Sequence, residues 1–368
     1  MRILISGGGT GGHVTPAVAI ANYLREKNKN IQIAFAGTEK GIENKIIPKE
    51  GYKLYHLKVR GFKRKFTLEN IDALIKAFTS QRTARKIIKD FKPDIVIGTG
   101  GYVSWPVLSA AAKQKIPAVI HEQNAFPGVT TKMLSKAVDK VMLSFEESRK
   151  YFRDNVQKKL IYTGNPVKSE CFTVDYKKEK KELSPDKPMI LSVGGSMGAA
   201  KINEVMIDFM DKYSKNRNIT HYHVTGSLGY KEYSQIYKDK KLDIYGNLHL
   251  SEYIFDIYKY YAAADIIICR AGAITLTELA VLKKPAILIP SPNVAENHQF
   301  KNAEVLEKHG AAVLIEEKNL TAEALIEKVD GLFKDPSKLI NMARNISSFA
   351  SPDTLGNIYN IIMSVKKI

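Results

Sequence analysis

The residues best suited to chemistry stand behind clustered glycines. Gly7-Gly8-Gly9-Thr10-Gly11-Gly12 fits G-x-G-x-x-G, follows the apolar run Arg2–Ser6 and leads into a helical pattern. Glycines let the backbone approach a phosphate closely, and a helix N-terminus adds unpaired N–H groups at the positive end of its dipole. His13 comes next, with an imidazole whose neutral pKa suits a general base and which equally suits a loop histidine bonded to backbone. A dinucleotide site would want an acid closing the second strand. After Ile31–Ala36 the chain runs Gly37-Thr38, and Glu39 comes late, so NAD is not favoured. Gly194-Gly195-Ser196-Met197-Gly198 reads either as a nucleophile elbow or as a second phosphate loop with Ser196 as donor. The first glycine loop, which a hydrolase would not need, favours the phosphate reading. Beside Arg270-Ala271-Gly272-Ala273, Glu278 fits a carboxylate that reads ribose hydroxyls, or the far end of a Thr275-x-x-Glu278 capping box.

Other chemistries fall away. His121-Glu122-Gln123-Asn124 has Ala125 where a zinc-protease helix needs its second histidine, and it follows a strand. His221 and His223 alternate along an apparent strand with no further ligands nearby, as satisfied core or surface histidines do. The chain has no P-loop and no Asp-x-Asp carboxylate pair for a metal-held nucleotide sugar.

Apolar strands alternate with helical patterns, as in buried parallel sheets. Thr15 and Pro16 are expected to open the first helix, and a second helix is expected to run to about Met210. The architecture is written twice. Arg2–Ser6 matches Met189–Val193, Asp94–Ile97 matches Asp265–Ile268, and Lys115–Ile120 matches Lys283–Leu288. The order is kept while loops vary, which predicts an α/β protein of two Rossmann-like domains facing across a cleft. The expected domains are 1–163 and 164–351. The polar segment Phe172–Lys187 is expected between domains, and the apolar-periodic tail 352–368 is expected to pack back on the first domain.

At 368 residues, 44% hydrophobic and 26% charged, the chain is an ordinary globular one of about two domains. Cys171 and Cys269 cannot form a disulfide framework, which suits a reducing compartment. Arg2–Ser6 is too short for a signal peptide, and the uncharged run 95–112 holds Gly98, Gly100, Gly101 and Pro106, unlike a membrane span. The net charge is +18, and residues 53–92 carry twelve Lys/Arg against three acids. That patch implies an anionic partner, nucleic acid or lipid surface.

With these loops in place the sequence resembles the MurG family, peptidoglycan N-acetylglucosaminyltransferases of the two-domain GT-B fold. The carriers span the chain: Gly8–His13, Gly98–Tyr102, His121–Asn124, Gly164–Val167, Gly194–Ala199, and Arg270–Thr275 with Glu278. The resemblance implies inverting transfer of N-acetylglucosamine from UDP-GlcNAc to the C4 hydroxyl of undecaprenyl-pyrophosphoryl-MurNAc-pentapeptide, with no bound metal or other cofactor. It places the chain in cell-wall synthesis, and so in cell shape and division, at the cytoplasmic face of the membrane. By motif, Ser196 meets the diphosphate, the Ile254 backbone the uracil and Glu278 the ribose. Ala273, Ile274, Thr275, His298 and Gln299 surround the sugar and phosphates, and Asn124 reaches the sugar. Thr10, Gly11, Gly12 and His13, with Gly100, Gly101 and Tyr102, cradle the acceptor pyrophosphate or the closing donor. His13 is expected to be the base, with Glu122 as the other candidate.

The sequence departs from the family pattern at three places. Lys168 stands where Arg is usual after Gly-Asn-Pro-Val, giving a point charge without the bidentate fork. Ala271 replaces a frequent Ser, and His298-Gln299 replaces a Gln pair.

The basic stretch is then expected to be a membrane patch, the other reading being a core-packed helix with a solvated face. Phe62, Lys63, Arg64 and Lys65 form its loop, and Ile75 and Phe78 lie on the following helix, to dock on anionic lipid at about 1 kcal/mol per nearby Lys or Arg. The alternatives are a non-hydrolysing UDP-GlcNAc epimerase and a nucleic-acid-binding protein. The latter is disfavoured because zinc-finger, RRM and KH signatures are missing.

Overall fold

In the computed structural model, residues 1–59, 68–195 and 197–366 are described, without the side chains of 68–78 and 216. The expected membrane residues Phe62, Lys63, Arg64, Lys65, Ile75 and Phe78, and the expected phosphate donor Ser196, lie outside the described residues or side chains. The chain divides into two units: residues 1–167 with Ser351–Ile368, and Lys168–Ala350.

The first unit carries β1 (Arg2–Gly7), β2 (Gln32–Thr38), β3 (Lys53–Leu57), β4 (Ile95–Gly100), β5 (Ala118–Glu122), β6 (Lys140–Leu143) and β7 (Leu160–Tyr162). They form one parallel sheet in the order β3-β2-β1-β4-β5-β6-β7. Leu4, Val96 and Ile120 bury against the helix Ser104–Lys113 on one face. Ile3, Ile5, Ile95 and Ile97 bury on the other, against the helix Gly11–Lys27. Cover on both faces is why these strands read as continuous apolar runs rather than alternating ones.

The second unit carries β8 (Met189–Val193), β9 (Thr220–Val224), β10 (Leu248–Ser251), β11 (Ile266–Cys269), β12 (Ala286–Leu288) and β13 (Val313–Leu314). Its sheet is again parallel, in the order β10-β9-β8-β11-β12-β13. The order reverses beside β1 and beside β8, so each sheet has its switch point at a glycine loop.

The three sequence matches do matching work. Asp94 Oδ2 accepts from the Arg2 N–H at 2.7 Å, and Asp265 Oδ2 accepts from the Met189 N–H at 2.7 Å. Each carboxylate takes an N–H at the start of a first strand, where the ladder supplies no acceptor. Lys115 and Lys283 both adopt left-handed backbone, φ 57° and 55°, at the helix-to-strand turn. Ile116 N–H then bonds Ala111 O, and Lys284 N–H bonds Leu279 O, at 3.0 and 2.9 Å.

Three expectations need correction. The first helix begins at Gly11 with Thr10 at its N-cap, not at Thr15, so His13 lies in its first turn. Pro16 falls in the second turn, where its missing N–H leaves the Gly12 carbonyl without an intrahelical donor. The polar segment Phe172–Lys187 is not a linker. It holds the helix Tyr176–Leu183 within the second unit, and Lys180 Nζ bonds Asp265 Oδ2 at 2.5 Å. Its charges read as a solvated tether because that pairing is long-range. Thr275 is no capping residue either, since Gly272 is the N-cap of the helix Ala273–Leu282 and Thr275 lies inside it.

The C-terminal helix Thr354–Ser364 packs against Gly11–Lys27, with Ile358 and Ile362 buried in that core and Tyr359 edge-on to Tyr23 at 6.2 Å. Among the described residues no helix is long and apolar enough to cross a membrane.

Candidate functional site

In the first unit, the carboxyl ends of β1, β4 and β5 bring His13, Gly100, Gly101, Tyr102, Glu122 and Asn124 to the same edge of the sheet. His13 Nδ1 lies 2.9 Å from Thr99 O and 3.0 Å from Gln123 Oε1. Both partners are acceptors, so Nδ1 carries the proton and Nε2 keeps its lone pair. The imidazole fits only because Gly100 lacks a side chain: a Cβ there would stand 2.8 Å from the ring, on a backbone at φ 96°. Tyr102, about one-third exposed, sets its ring against Gly9. Thr10 makes no side-chain cap at the helix start, and with Gly12 it is exposed.

Two buried carboxylates shape this edge. Glu122 has both oxygens engaged: Oε1 accepts from Asn124 N–H and Asn124 Nδ2 at 3.1 and 3.2 Å, and Oε2 from Gly128 N–H at 3.1 Å. Glu43 was not singled out in the sequence, because it stands five residues past β2 inside a helix. Its carboxylate accepts from Thr38 N–H (2.8 Å), Thr38 Oγ1 (2.7 Å) and Gly9 N–H (3.1 Å). Burial pushes this carboxyl upward, but the Thr38 and Gly9 donors outweigh it and hold it below the usual carboxylate range. It fills the corner beside the second strand where an acid was sought, and it spends its oxygens on the glycine loop.

In the second unit, a cavity of about 200 Å³ opens at the ends of β8, β9 and β11, walled by Gly195, Tyr253, Ile254, Ile257, Arg270 and Thr275 among others. The helix Ala200–Lys212 starts beside it with Ala199 at the N-cap and no side-chain cap from that residue, and its first N–H groups have no partner within the helix. Gly198 must be glycine, since a Cβ there would come within 2.2 Å of Thr225 O at φ 88°. Glu278 lies one turn beyond Thr275 and accepts from the Tyr258 hydroxyl at 2.8 Å. Burial drives its carboxyl up to about 7, against the opposing pull of Tyr258 and of Lys168. Ala273 is buried and Ile274 partly so, both in that helix's first turn.

Arg270 is committed to the scaffold, donating to Ile289 O and Pro290 O at 3.1 and 3.2 Å and pairing with Glu317. Gln299 Oε1 accepts from Ser291 N–H at 2.9 Å, and His298 Nδ1 donates to Ala295 O at 2.8 Å. Both lie in the first turn of the helix His298–Lys308, which follows the loop after β12. His221 and His223 are fully buried on β9 and share Ser192 Oγ at 3.0 and 2.8 Å. Among the described residues no group of three or more His, Cys, Asp or Glu converges as metal ligands would.

Two parallel-sheet units, each with a glycine loop at its switch point, have the architecture of the GT-B fold, and the family matches make the chain a glycosyltransferase of that class. Residues 3–143 match the glycosyltransferase family 28 N-terminal domain and 189–355 its C-terminal domain. The N-acetylglucosamine transferase of Acetivibrio thermocellus named for N-acetylmuramyl-(pentapeptide) pyrophosphoryl-undecaprenol is 44% identical, covering 100% of this chain and 99% of its own. The Clostridioides difficile protein of the same name is 47% identical, covering 99% and 89%. The crystal structure of Acinetobacter baumannii MurG superposes with a TM-score of 0.79 at 28% identity, over 99% of both chains. A Neisseria meningitidis UDP-GlcNAc 2-epimerase bound to UDP-GlcNAc reaches 0.66 at 17% identity, over 99% and 100%, a likeness of fold alone. The chain belongs to the MurG family, within glycosyltransferase family 28.

Proposed function

We propose that this chain transfers N-acetylglucosamine from UDP-GlcNAc to the C4 hydroxyl of undecaprenyl-pyrophosphoryl-MurNAc-pentapeptide, with inversion, as a peripheral protein on the cytoplasmic face of the membrane. The observation that carries the reading is full-length identity of 44–47% to relatives named for that reaction.

In the proposed reaction the acceptor oxygen attacks the anomeric carbon as the bond to the UDP oxygen breaks. The pair from the broken bond leaves on UDP, and the hydroxyl proton passes to His13 Nε2. The geometry favours His13 over Glu122, whose oxygens are already occupied by Asn124 and Gly128. The helix that starts at Ala200 receives the diphosphate, and its unpaired N–H groups stabilise the charge that builds on the leaving group. No resident metal or other cofactor enters this scheme.

The donor lies in the second unit's cavity, with uracil at Ile254, ribose hydroxyls at Glu278 and the phosphates near Ser196, Lys168, Ala273, Ile274 and Thr275. Gln299, His298 and Asn124 are the residues assigned to the sugar. Thr10, Gly11, Gly12, Gly100, Gly101 and Tyr102 receive the acceptor pyrophosphate. The basic stretch around Phe62–Lys65, with Ile75 and Phe78, holds the chain on anionic lipid.

Transfer of labelled N-acetylglucosamine to lipid-linked MurNAc-pentapeptide tests the reaction. Conversion of UDP-GlcNAc to its epimer without acceptor would overturn it. Loss of anionic-vesicle binding on charge reversal of Lys63, Arg64 and Lys65 is the outcome the membrane reading requires, with an oligonucleotide at matched salt as the competing partner.

A further inference from the structure

The first unit holds a directed chain of hydrogen bonds that ends on His13. His121 is fully buried, and its Nε2 lies 2.9 Å from the Gly164 carbonyl, which only accepts. His121 Nε2 therefore carries the proton, and Nδ1 is left as an acceptor. Gln123 Nε2 meets that Nδ1 at 3.0 Å and also donates to His121 O at 3.0 Å. The amide of Gln123 is thereby oriented nitrogen toward His121 and oxygen toward His13, whose Nδ1–H it accepts at 3.0 Å. Asn165 Nδ2 holds the same residue by its backbone carbonyl at 3.0 Å. Every donor in the series meets an acceptor, and reversing any member would set two donors or two acceptors face to face.

We propose that Gln123, oriented by His121 and the Gly164 carbonyl, is a positioning residue that locks His13 in the Nδ1–H tautomer and so reserves Nε2 to take the acceptor's proton. This rests on His13 being the base, as proposed above. Thr99 O alone also accepts from Nδ1, but a single carbonyl leaves the ring free to pivot about that bond, whereas two acceptors from β4 and the end of β5 fix its plane. The partner is an amide and not a carboxylate, so it orients the ring without an added negative charge that would hold a captured proton. The buried carboxylates at this edge of the sheet, Glu43 and Glu122, are spent on backbone N–H groups of Gly9, Thr38, Asn124 and Gly128.

Long-range nitrogen–proton spectra of the full-length protein labelled at histidine read the tautomer directly and need no variant. His13 is expected as Nδ1–H and His121 as Nε2–H; a His13 carrying its proton on Nε2 overturns the proposal. Gln123→Ala is expected to lower kcat about 10- to 100-fold, as loss of an orienting partner does, with the KM for UDP-GlcNAc unchanged. Gln123→Glu keeps an acceptor on Nδ1–H and is expected to recover kcat while moving the acid limb of its pH profile upward, because an adjacent carboxylate favours the protonated imidazole. Wild-type turnover and pH profile in Gln123→Ala would sink the positioning role. Melting curves and UDP binding by the second unit separate loss of fold from loss of positioning. Full turnover in His13→Ala would overturn the base assignment itself, while the tautomer spectrum would still stand as the reading of the hydrogen-bond chain.

Discussion

The two units place a buried or half-buried carboxylate near each switch point, and the two behave oppositely. Glu43 in the first unit takes two backbone N–H groups and a hydroxyl, and its carboxyl is held below the usual range. Glu278 in the second takes one tyrosine hydroxyl, and burial drives it up to about 7. A carboxylate whose lone pairs are filled by its own chain is scaffold. One left short of donors, on a helix whose Thr275 walls a cavity, has capacity to spare for a ligand's hydroxyls, which is the role proposed for it above. Under the proposed function, equivalent folds spend the same side chain on rigidity in one half and on recognition in the other.

The largest expected effect separates chemistry from donor recognition. His13→Ala should lower kcat about 10²- to 10⁴-fold, the usual contribution of a general base, while UDP binding to the second unit, measured calorimetrically, stays as it was. Equal loss of both would erase the division of labour. Next, Glu43→Ala leaves three donors around Thr38 and Gly9 without an acceptor. It should destabilise the first unit by about 3 kcal/mol, visible in denaturant melts, with the second unit's ligand-induced stabilisation retained.

Acid should also distinguish the halves. His121 in the first unit and His223 in the second are pushed by burial to about 4, and His221 is pushed down as well. Unfolded histidines titrate near 6.5, so between that value and about 4 the unfolded chain binds protons that the native one refuses. Stability must fall as pH falls through this window, by roughly 1.4 kcal/mol per histidine at pH 5.5. In the second unit the raised Glu278 carboxyl takes up a proton on folding over the same range and offsets part of this loss, whereas Glu43 in the first unit is shifted the other way. Hydrogen exchange in Glu278→Gln should therefore lose protection in the second unit more steeply between pH 8 and 5.5 than in the unsubstituted chain, and equal slopes would contradict this assignment.

The smallest effect concerns Glu278. Glu278→Gln should weaken UDP-GlcNAc binding about tenfold at pH 8, the scale of one charge-assisted hydrogen bond. The same substitution should raise the melting temperature of the unliganded protein at pH 8 more than at pH 5. The sign follows from its raised carboxyl: the native state gains a proton that the unfolded chain lacks between about 4.5 and 7, so stability is lost as pH rises through 7. A variant that melts lower at pH 8 would make Glu278 scaffold, like Glu43.

Much of this was already legible in the chain. Runs such as Arg2–Ser6 and Met189–Val193 can only be strands covered on both faces, and glycines after them mark loops that approach a ligand. The repeat announced two like sheets because Asp94 and Asp265 each stand directly before their strand and hold the first strand of their sheet, a local regularity that survives loop variation. Local pattern was weaker at helix starts, where Thr15-Pro16 outbid Thr10, and at charged segments. Tyr176–Leu183 looked like tether because nothing in its own residues announces that Lys180 meets Asp265, 85 positions away.

What the sequence determined alone is the class of strands, the two glycine loops, their order and the family they spell. What only the tertiary structure decided is how each polar side chain is spent. Glu43 and Glu278 are both glutamates on helices that follow a sheet strand, and no spacing rule separates them. The proton on His13 likewise depends on Gln123, 110 positions along, and through it on His121 and Gly164. Hydrogen-bond capacity is a property of residue type. Whether that capacity is filled by the fold or kept for a ligand depends on which distant backbone groups the sheets bring within 3 Å.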